Sequence, residues 1–125
     1  MHVVVTGGTG FIGQALVPRL AADNYAVTVL SRNPAEVRRL FPLAQYPAVE
    51  ARGYTPLIPG DWTAALDGAD AVVHLAGEPI NGRWTPATKR AMRDSRWIGT
   101  RVLVEASVTA SPRPRVLVSM SAARA

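Results

Sequence analysis

His2-Val3-Val4-Val5-Thr6-Gly7-Gly8-Thr9-Gly10-Phe11-Ile12-Gly13 opens the chain almost at its first residue. His2 to Thr6 is a β-branched run cut off by glycines, the composition of a strand buried on both faces, as parallel sheets require. The glycines lead into a helix whose apolar residues Phe11, Ile12, Ala15, Leu16 and Leu20 are compatible with one buried face on a 3.6-residue period. Pro18 has no amide to give to the preceding turn, so a kink is expected there.

Working outward, the alternation continues. Asp23-Asn24 marks a turn before a second strand, Ala26 to Leu30. Asn33-Pro34 then starts a short helix with Asn33 as cap and Pro34 in its first position. Prolines 42, 47, 56 and 59 interrupt the next stretch, leaving a third strand near Val49 to Arg52. Asp61 is placed to cap a short helix through Leu66 that Gly68 closes, and Ala71 to Leu75 reads as a fourth strand. After a loop from Glu78 to Thr85, Thr85-Pro86 begins a long helix to about Ser107, and Arg115 to Ser119 is a fifth strand. Strands alternating with helices imply right-handed crossovers and a parallel sheet covered on both faces. The expectation is a single α/β domain over residues 1–125: a Rossmann-like, doubly wound sheet of about five strands in the order 3-2-1-4-5.

Composition narrows the function classes. The chain has 125 residues, 48% of them apolar and 18% charged, a globular balance. It has no cysteine, which removes thiol catalysis, zinc-thiolate sites and disulfides and fits a reducing compartment. No metal site is expected. No apolar run approaches the roughly 20 residues of a membrane helix, and the amino terminus lacks a signal-peptide pattern, so a cytoplasmic protein away from membranes is the expectation. Fourteen Lys and Arg against nine Asp and Glu give +5, with many of the arginines between Lys89 and Arg101. No interleaved aromatics or nucleic-acid module accompany them, which argues against DNA or RNA as partner.

Residues Gly7 to Gly13 satisfy both Gly-x-x-Gly-x-x-Gly and, from Gly8, Gly-x-Gly-x-x-Gly. Between a strand and a helix, this arrangement presents backbone amides to a pyrophosphate. Gly7 permits the tight turn, Gly10 lets backbone approach phosphate, and Gly13 lets helix pack closely on strand. A carboxylate ending the second strand would select NAD(H), yet this strand ends in Ser31-Arg32. A guanidinium can pair with a 2′-phosphate and the serine can add a hydrogen bond, which favours NADP(H) over NAD(H); the alternative is that Arg32 is a solvated loop cation. Asp61 is a candidate contact to the adenine amino group as well as a helix cap.

On these residues the chain resembles the extended short-chain dehydrogenase/reductase superfamily, of the NAD-dependent epimerase/dehydratase type. The resemblance is carried by the glycine loop, His74-Leu75-Ala76-Gly77, Gly99-Thr100 and Ser119-Met120-Ser121-Ala122. Gly77-Glu78-Pro79-Ile80, Arg83-Trp84-Thr85 and Asp94-Ser95-Arg96 are similar to a poorly characterised epimerase-like subfamily, some of it labelled as cell-division inhibitor homologues. The resemblance implies that Leu75, Ala76 and Gly77 line the ribose and nicotinamide side of the cofactor. It also implies that Ser121 is the catalytic serine, which holds a substrate oxygen while a tyrosine with a neighbouring lysine moves the proton. That Tyr-x-x-x-Lys pair falls beyond Ala125, and none of Tyr25, Tyr46 and Tyr54 is followed four residues later by lysine. The expectation is a shortened or frame-disrupted member.

The remaining residues get plainer readings. His74 lies in an apolar strand and reads as structural. Glu78 can touch substrate but reads first as a solvated carboxylate, and Trp84 and Trp97 as packing residues. Lys89, Arg93 and Arg96 share a helix face that is either an exposed basic stripe or a wall of the cleft. Homodimerisation is implied by analogy alone. Three functions stay open: an NADP(H)-binding domain without turnover, the amino-terminal part of an active NADP-dependent epimerase or reductase, and a regulatory fragment that associates through the edge of the fifth strand. No substrate is named by the sequence.

Overall fold

Val3, Val4 and Val5 are all buried, so the first strand is covered on both faces, as its unalternating sequence demands. The computed structural model describes residues 1–55, 58–75 and 86–119, with the backbone alone for 86–97 and 119. Its elements follow in the order β1 (His2–Thr6), α1 (Phe11–Ala22), β2 (Ala26–Ser31), α2 (Pro34–Leu40), β3 (Val49–Gly53), a 3-10 helix (Asp61–Leu66), β4 (Ala71–His74), α3 (Pro86–Thr109) and β5 (Val116–Ser119). The strands form one parallel sheet in the order β3-β2-β1-β4-β5, the expected doubly wound topology. Element boundaries differ from the sequence reading by one or two residues, as helix and strand ends commonly do.

Each face of the sheet has its own core. Val3, Val5, Val27, Val29 and Val49 pack with Val17 of α1 and Val37 and Phe41 at α2. On the other face Val4, Leu30 and Val72 pack with Tyr54, Trp62, Leu66 and Leu103. Gly99, Leu103 and Ser107 are buried at four-residue intervals along α3, so one stripe of that helix lies against the sheet. The outermost strand is less covered: Val116 and Val118 of β5 are 51% and 50% exposed.

Three local expectations are corrected. The buried face of α1 is Gly13, Val17 and the half-buried Leu20 and Ala21, while Phe11, Ile12 and Ala15 are exposed. The reason is steric: Gly13 must sit against the preceding turn, and that sets the helix rotation regardless of where its bulkier apolar residues then point. Asn33 precedes Pro34 at the start of α2 but makes no side-chain cap. Its own amide instead donates to Ser31 Oγ at 3.0 Å. Asp61 is not a cap either; Gly60 is, and Asp61 is the first residue of the 3-10 helix, where its charge faces the positive end of the backbone dipoles. Gly68 ends this segment as expected, with φ +78°. Helix α1 runs through Pro18 to Ala22.

At the amino ends of the strands, Asp70 ties three of them together. Its carboxylate accepts the His2 amide at 2.8 Å, its amide donates to the His2 carbonyl at 2.8 Å, and its carbonyl accepts the Arg115 amide at 3.0 Å. The carboxyl ends, where doubly wound sheets bind ligands, carry the glycine turn and the residues around it.

Candidate functional site

The turn after β1 is shaped by what cannot fit beside it. Gly7 has φ +76°, a conformation that L side chains rarely adopt. A Cβ on Gly13 would lie 2.5 Å from both the Gly7 carbonyl oxygen and Gly8 Cα, so the start of α1 touches the turn backbone to backbone. A Cβ on Gly8 would lie 2.7 Å from Val29 Cγ1, which seats the turn on β2. Beside Gly10 the situation is reversed. A Cβ there would meet only the Gly7 carbonyl, at 3.4 Å, so no side chain fills the space against its backbone. Gly10 N donates to Gly7 O at 3.1 Å and Gly10 O accepts the first bond of the helix, from Gln14 N at 2.9 Å. The amides of Phe11, Ile12 and Gly13 come before that bond, in the stretch of a helix whose N–H groups lack intrahelical acceptors. Phe11 is 93% exposed and Ile12 is exposed beside it.

Ser31 and Arg32 leave the end of β2 next to this turn, Ser31 half-buried and Arg32 exposed. Ser31 Oγ accepts the Asn33 amide, which leaves its O–H free to donate to a ligand. The register Ser31↔Gly53 brings Tyr54, the residue after β3, level with Arg32. Tyr54 stands edge-on to Trp62, with ring centroids 4.8 Å apart and planes at 87°. Trp62 is anchored by its Nε1–H, which donates to the Ile58 carbonyl at 3.1 Å. Asp61 is exposed at the head of the same segment. The structure thus gathers Gly7, Gly10, Phe11, Ile12 and Gly13 at one turn and Ser31 and Arg32 at the strand end beside it.

At the end of β4, Leu75 is half-buried, and its amide donates to the Thr6 carbonyl at 3.0 Å with Thr6 Oγ1 at 3.2 Å. His74 is buried, with Nδ1 2.7 Å from Thr6 Oγ1. Burial holds the imidazole below its ordinary pKa, so it is neutral at pH 7 and ties β4 to β1, the structural role its strand setting suggested. Ala76, Gly77, Glu78, Thr85 and Ser121 lie outside the described residues, as do the side chains of Lys89, Arg93, Arg96 and Trp97. Among the described residues no group of three or more His, Cys, Asp or Glu side chains is placed to hold a metal ion, and no helix is long and apolar enough to cross a membrane.

Sequence reasoning missed Gly8 and Tyr54 as parts of this region. Gly8 was visible inside the glycine pattern, but its contact with Val29 depends on the seating of the turn over β2. Nothing in the local sequence distinguishes Tyr54 from a surface tyrosine after a strand.

A family model for the NAD-dependent epimerase/dehydratase family matches residues 3–125. The chain belongs to this family. An Arabidopsis thaliana protein named as a chloroplastic homologue of epimerase family protein SDR39U1 is 41% identical over 124 residues, covering 98% of this chain and 34% of that protein. The crystal structure of human epimerase family protein SDR39U1 (isoform 2) with NADPH superposes with a TM-score of 0.71 at 33% identity, covering 98% of this chain and 37% of the other. Gre2 from Candida albicans in complex with NADPH, at 24% identity, shares the fold with a TM-score of 0.80, over 98% of this chain and 37% of the other. This family member spans about a third of the length of the relatives it matches.

Proposed function

We propose that the chain is an NADP(H)-binding domain of the epimerase/dehydratase family whose own residues do not complete a catalytic cycle. The observation that carries the reading is the β1–α1 turn, where Gly7 holds a positive φ and Gly8 and Gly13 make contacts that any side chain would obstruct, while the backbone at Gly10 stays open. A pyrophosphate fits such a cradle because unpaired amides and the amino end of a helix both favour negative charge. In this reading the Phe11, Ile12 and Gly13 amides face the pyrophosphate, Ser31 and Arg32 take the 2′-phosphate, Asp61 meets the adenine amino group, and Leu75, Ala76 and Gly77 bound the ribose and nicotinamide. The NADPH bound by the human relative supports the choice of cofactor.

When bound, the nicotinamide supplies or accepts hydride, and that chemistry needs a partner that moves a proton. Ser121 is the one family catalytic position assigned to this sequence. Tyr54 does not serve, because burial pushes its phenol up to about 12, the wrong direction for a proton-transfer tyrosine. Tyr25 and Tyr46 pack against the valine core. Titration of NADPH against the purified chain, followed by cofactor fluorescence and calorimetry, is expected to show saturable binding without oxidation of the cofactor. No signal at millimolar NADPH would overturn the proposal.

The length of the relatives favours a second reading, in which the same domain is the first third of an active NADP-dependent epimerase or reductase. It requires a Tyr-x-x-x-Lys pair within about 40 codons beyond Ala125, the scale of one more strand-helix-strand unit. Sequencing the message past that codon decides it.

A further inference from the structure

Tyr54 carries a polar atom that its surroundings do not use. The residue is 6% exposed, and its hydroxyl is buried with no hydrogen-bond partner. Its ring is held by Trp62 and by the core around Leu30 and Leu66, a setting in which phenylalanine would fill the same space without a stranded hydroxyl. Burying a hydroxyl without a partner costs stability, so a tyrosine here implies a partner in another state of the protein. The register of β2 and β3 places Arg32 at the same level on the adjoining strand. Arg32 makes no hydrogen bond or ion pair among the described residues, so its guanidinium is free to move toward a ligand. Its charge already acts on the phenol, opposing the larger effect of burial.

We propose that Tyr54 is a positioning residue for 2′-phosphate recognition: its hydroxyl oxygen accepts an N–H from Arg32 and fixes the guanidinium plane, while its O–H donates to a phosphate oxygen. This rests on the NADP(H) reading above. Arginine offers only donors and phosphate only acceptors, and a phenol can bridge them because it does both. Burial raises the phenol to about 12, so the O–H stays protonated and able to donate across the physiological range. Arg32 alone is a long exposed side chain with many rotamers. Held by a buried, rigid phenol, it presents its planar fork in one orientation.

The test uses adenosine 2′,5′-bisphosphate and ADP, two probes that differ in the 2′-phosphate and omit the nicotinamide. Tyr54→Phe is expected to weaken the bisphosphate about tenfold, the scale of one hydrogen bond to a charged group, to leave ADP binding unchanged, and to raise the melting temperature of the free protein, which loses a stranded hydroxyl. In an Arg32→Ala background the same change is expected to weaken the bisphosphate by a smaller factor, since only the direct bond from the phenol to phosphate is left to lose and the positioning of the guanidinium no longer counts. Wild-type affinity in Tyr54→Phe, or equal weakening of both probes, would overturn the inference. Arg32→Lys gives an independent reading at an exposed site: it keeps the charge, loses the fork, and is expected to lower bisphosphate affinity by a similar factor. If Arg32→Ala weakens the bisphosphate and Tyr54→Phe does not, the NADP(H) reading stands and this inference fails. If the unaltered protein binds bisphosphate no more tightly than ADP, both fail.

Discussion

The turn after β1 and the rim at the ends of β2 and β3 lie side by side in the sheet, yet they are built from different materials. The turn is backbone against backbone, with Gly13 pressed onto Gly7 and Gly8. The rim is side-chain chemistry: Ser31 holding the Asn33 amide, Arg32 exposed, and Tyr54 and Trp62 packed edge to face. The first can be lost by adding one carbon atom. The second tolerates many residues and sets what is bound rather than whether anything is. In the proposed reading the turn supplies affinity common to all dinucleotides and the rim supplies the choice among them.

The sharpest way to break this contrast is at Gly13. Alanine is favoured over glycine in a helix by about 1 kcal/mol, so propensity alone makes Gly13→Ala stabilising. Contact distances of 2.5 Å to backbone atoms forecast the opposite: a loss of more than about 3 kcal/mol in denaturant unfolding, with NADPH binding abolished. A gain in stability would show that the turn is not packed as described. At Gly8 the obstruction is a side chain, Val29 Cγ1, and the expected loss for Gly8→Ala is smaller, about 1–3 kcal/mol. Combining it with Val29→Ala is expected to show a favourable coupling of about 1 kcal/mol in a double-mutant cycle.

The rim is probed by Arg32→Asp, which is expected to change the ratio of NADPH to NADH affinity at least tenfold, about 1.4 kcal/mol, while leaving the unfolding midpoint in place. An unchanged ratio would remove Ser31-Arg32 from 2′-phosphate recognition and erase the contrast between the two regions. The smallest effect belongs to His74, which joins β4 to the strand that feeds the turn. Its pKa is lowered in the folded state, so the unfolded chain binds the proton more readily, and the stability tied to the neutral ring is complete above about pH 6.5 and is lost as pH falls below it. Melting temperatures measured from pH 7 to pH 5 are expected to fall more steeply for the unaltered protein than for His74→Gln. Parallel slopes would leave His74 without a part in acid sensitivity.

The same contrast explains what was legible in the sequence. The strand run from His2 to Thr6 and the glycine spacing encode local conformation, and the alternation of strands and helices with right-handed crossovers gives a parallel sheet whose order follows once the usual doubly wound topology is assumed. The rotation of α1 was not legible from apolar spacing, because Phe11 and Ile12 suggest one face and the contact at Gly13 imposes another. Asn33 and Asp61 have the side chains of helix caps, but the Glu36 amide goes to the backbone carbonyl of Asn33 and Gly60 takes the cap position before Asp61. Each of these outcomes depends on a neighbour distant enough, or an alternative close enough in energy, that residue type alone does not decide. Tyr54 is the extreme case, since its burial, its unpaired hydroxyl and its level with Arg32 arise only once β3 is paired to β2.

Asp70 gives the outer strand β5 an anchored end and a looser one. By lacing His2 and Arg115 to one residue, it holds β1, β4 and β5 in fixed spacing at their amino ends. Because His74 and Leu75 also fasten β4 to Thr6 of β1 at the carboxyl margin, any fanning falls to β5, pivoted at Asp70 like the outer rib of a hand fan about its rivet. Amide exchange in β5 should accordingly be slowest next to Asp70 and grow faster toward Ser119, so that an incoming ligand meets this side of the sheet where it has most freedom to adjust.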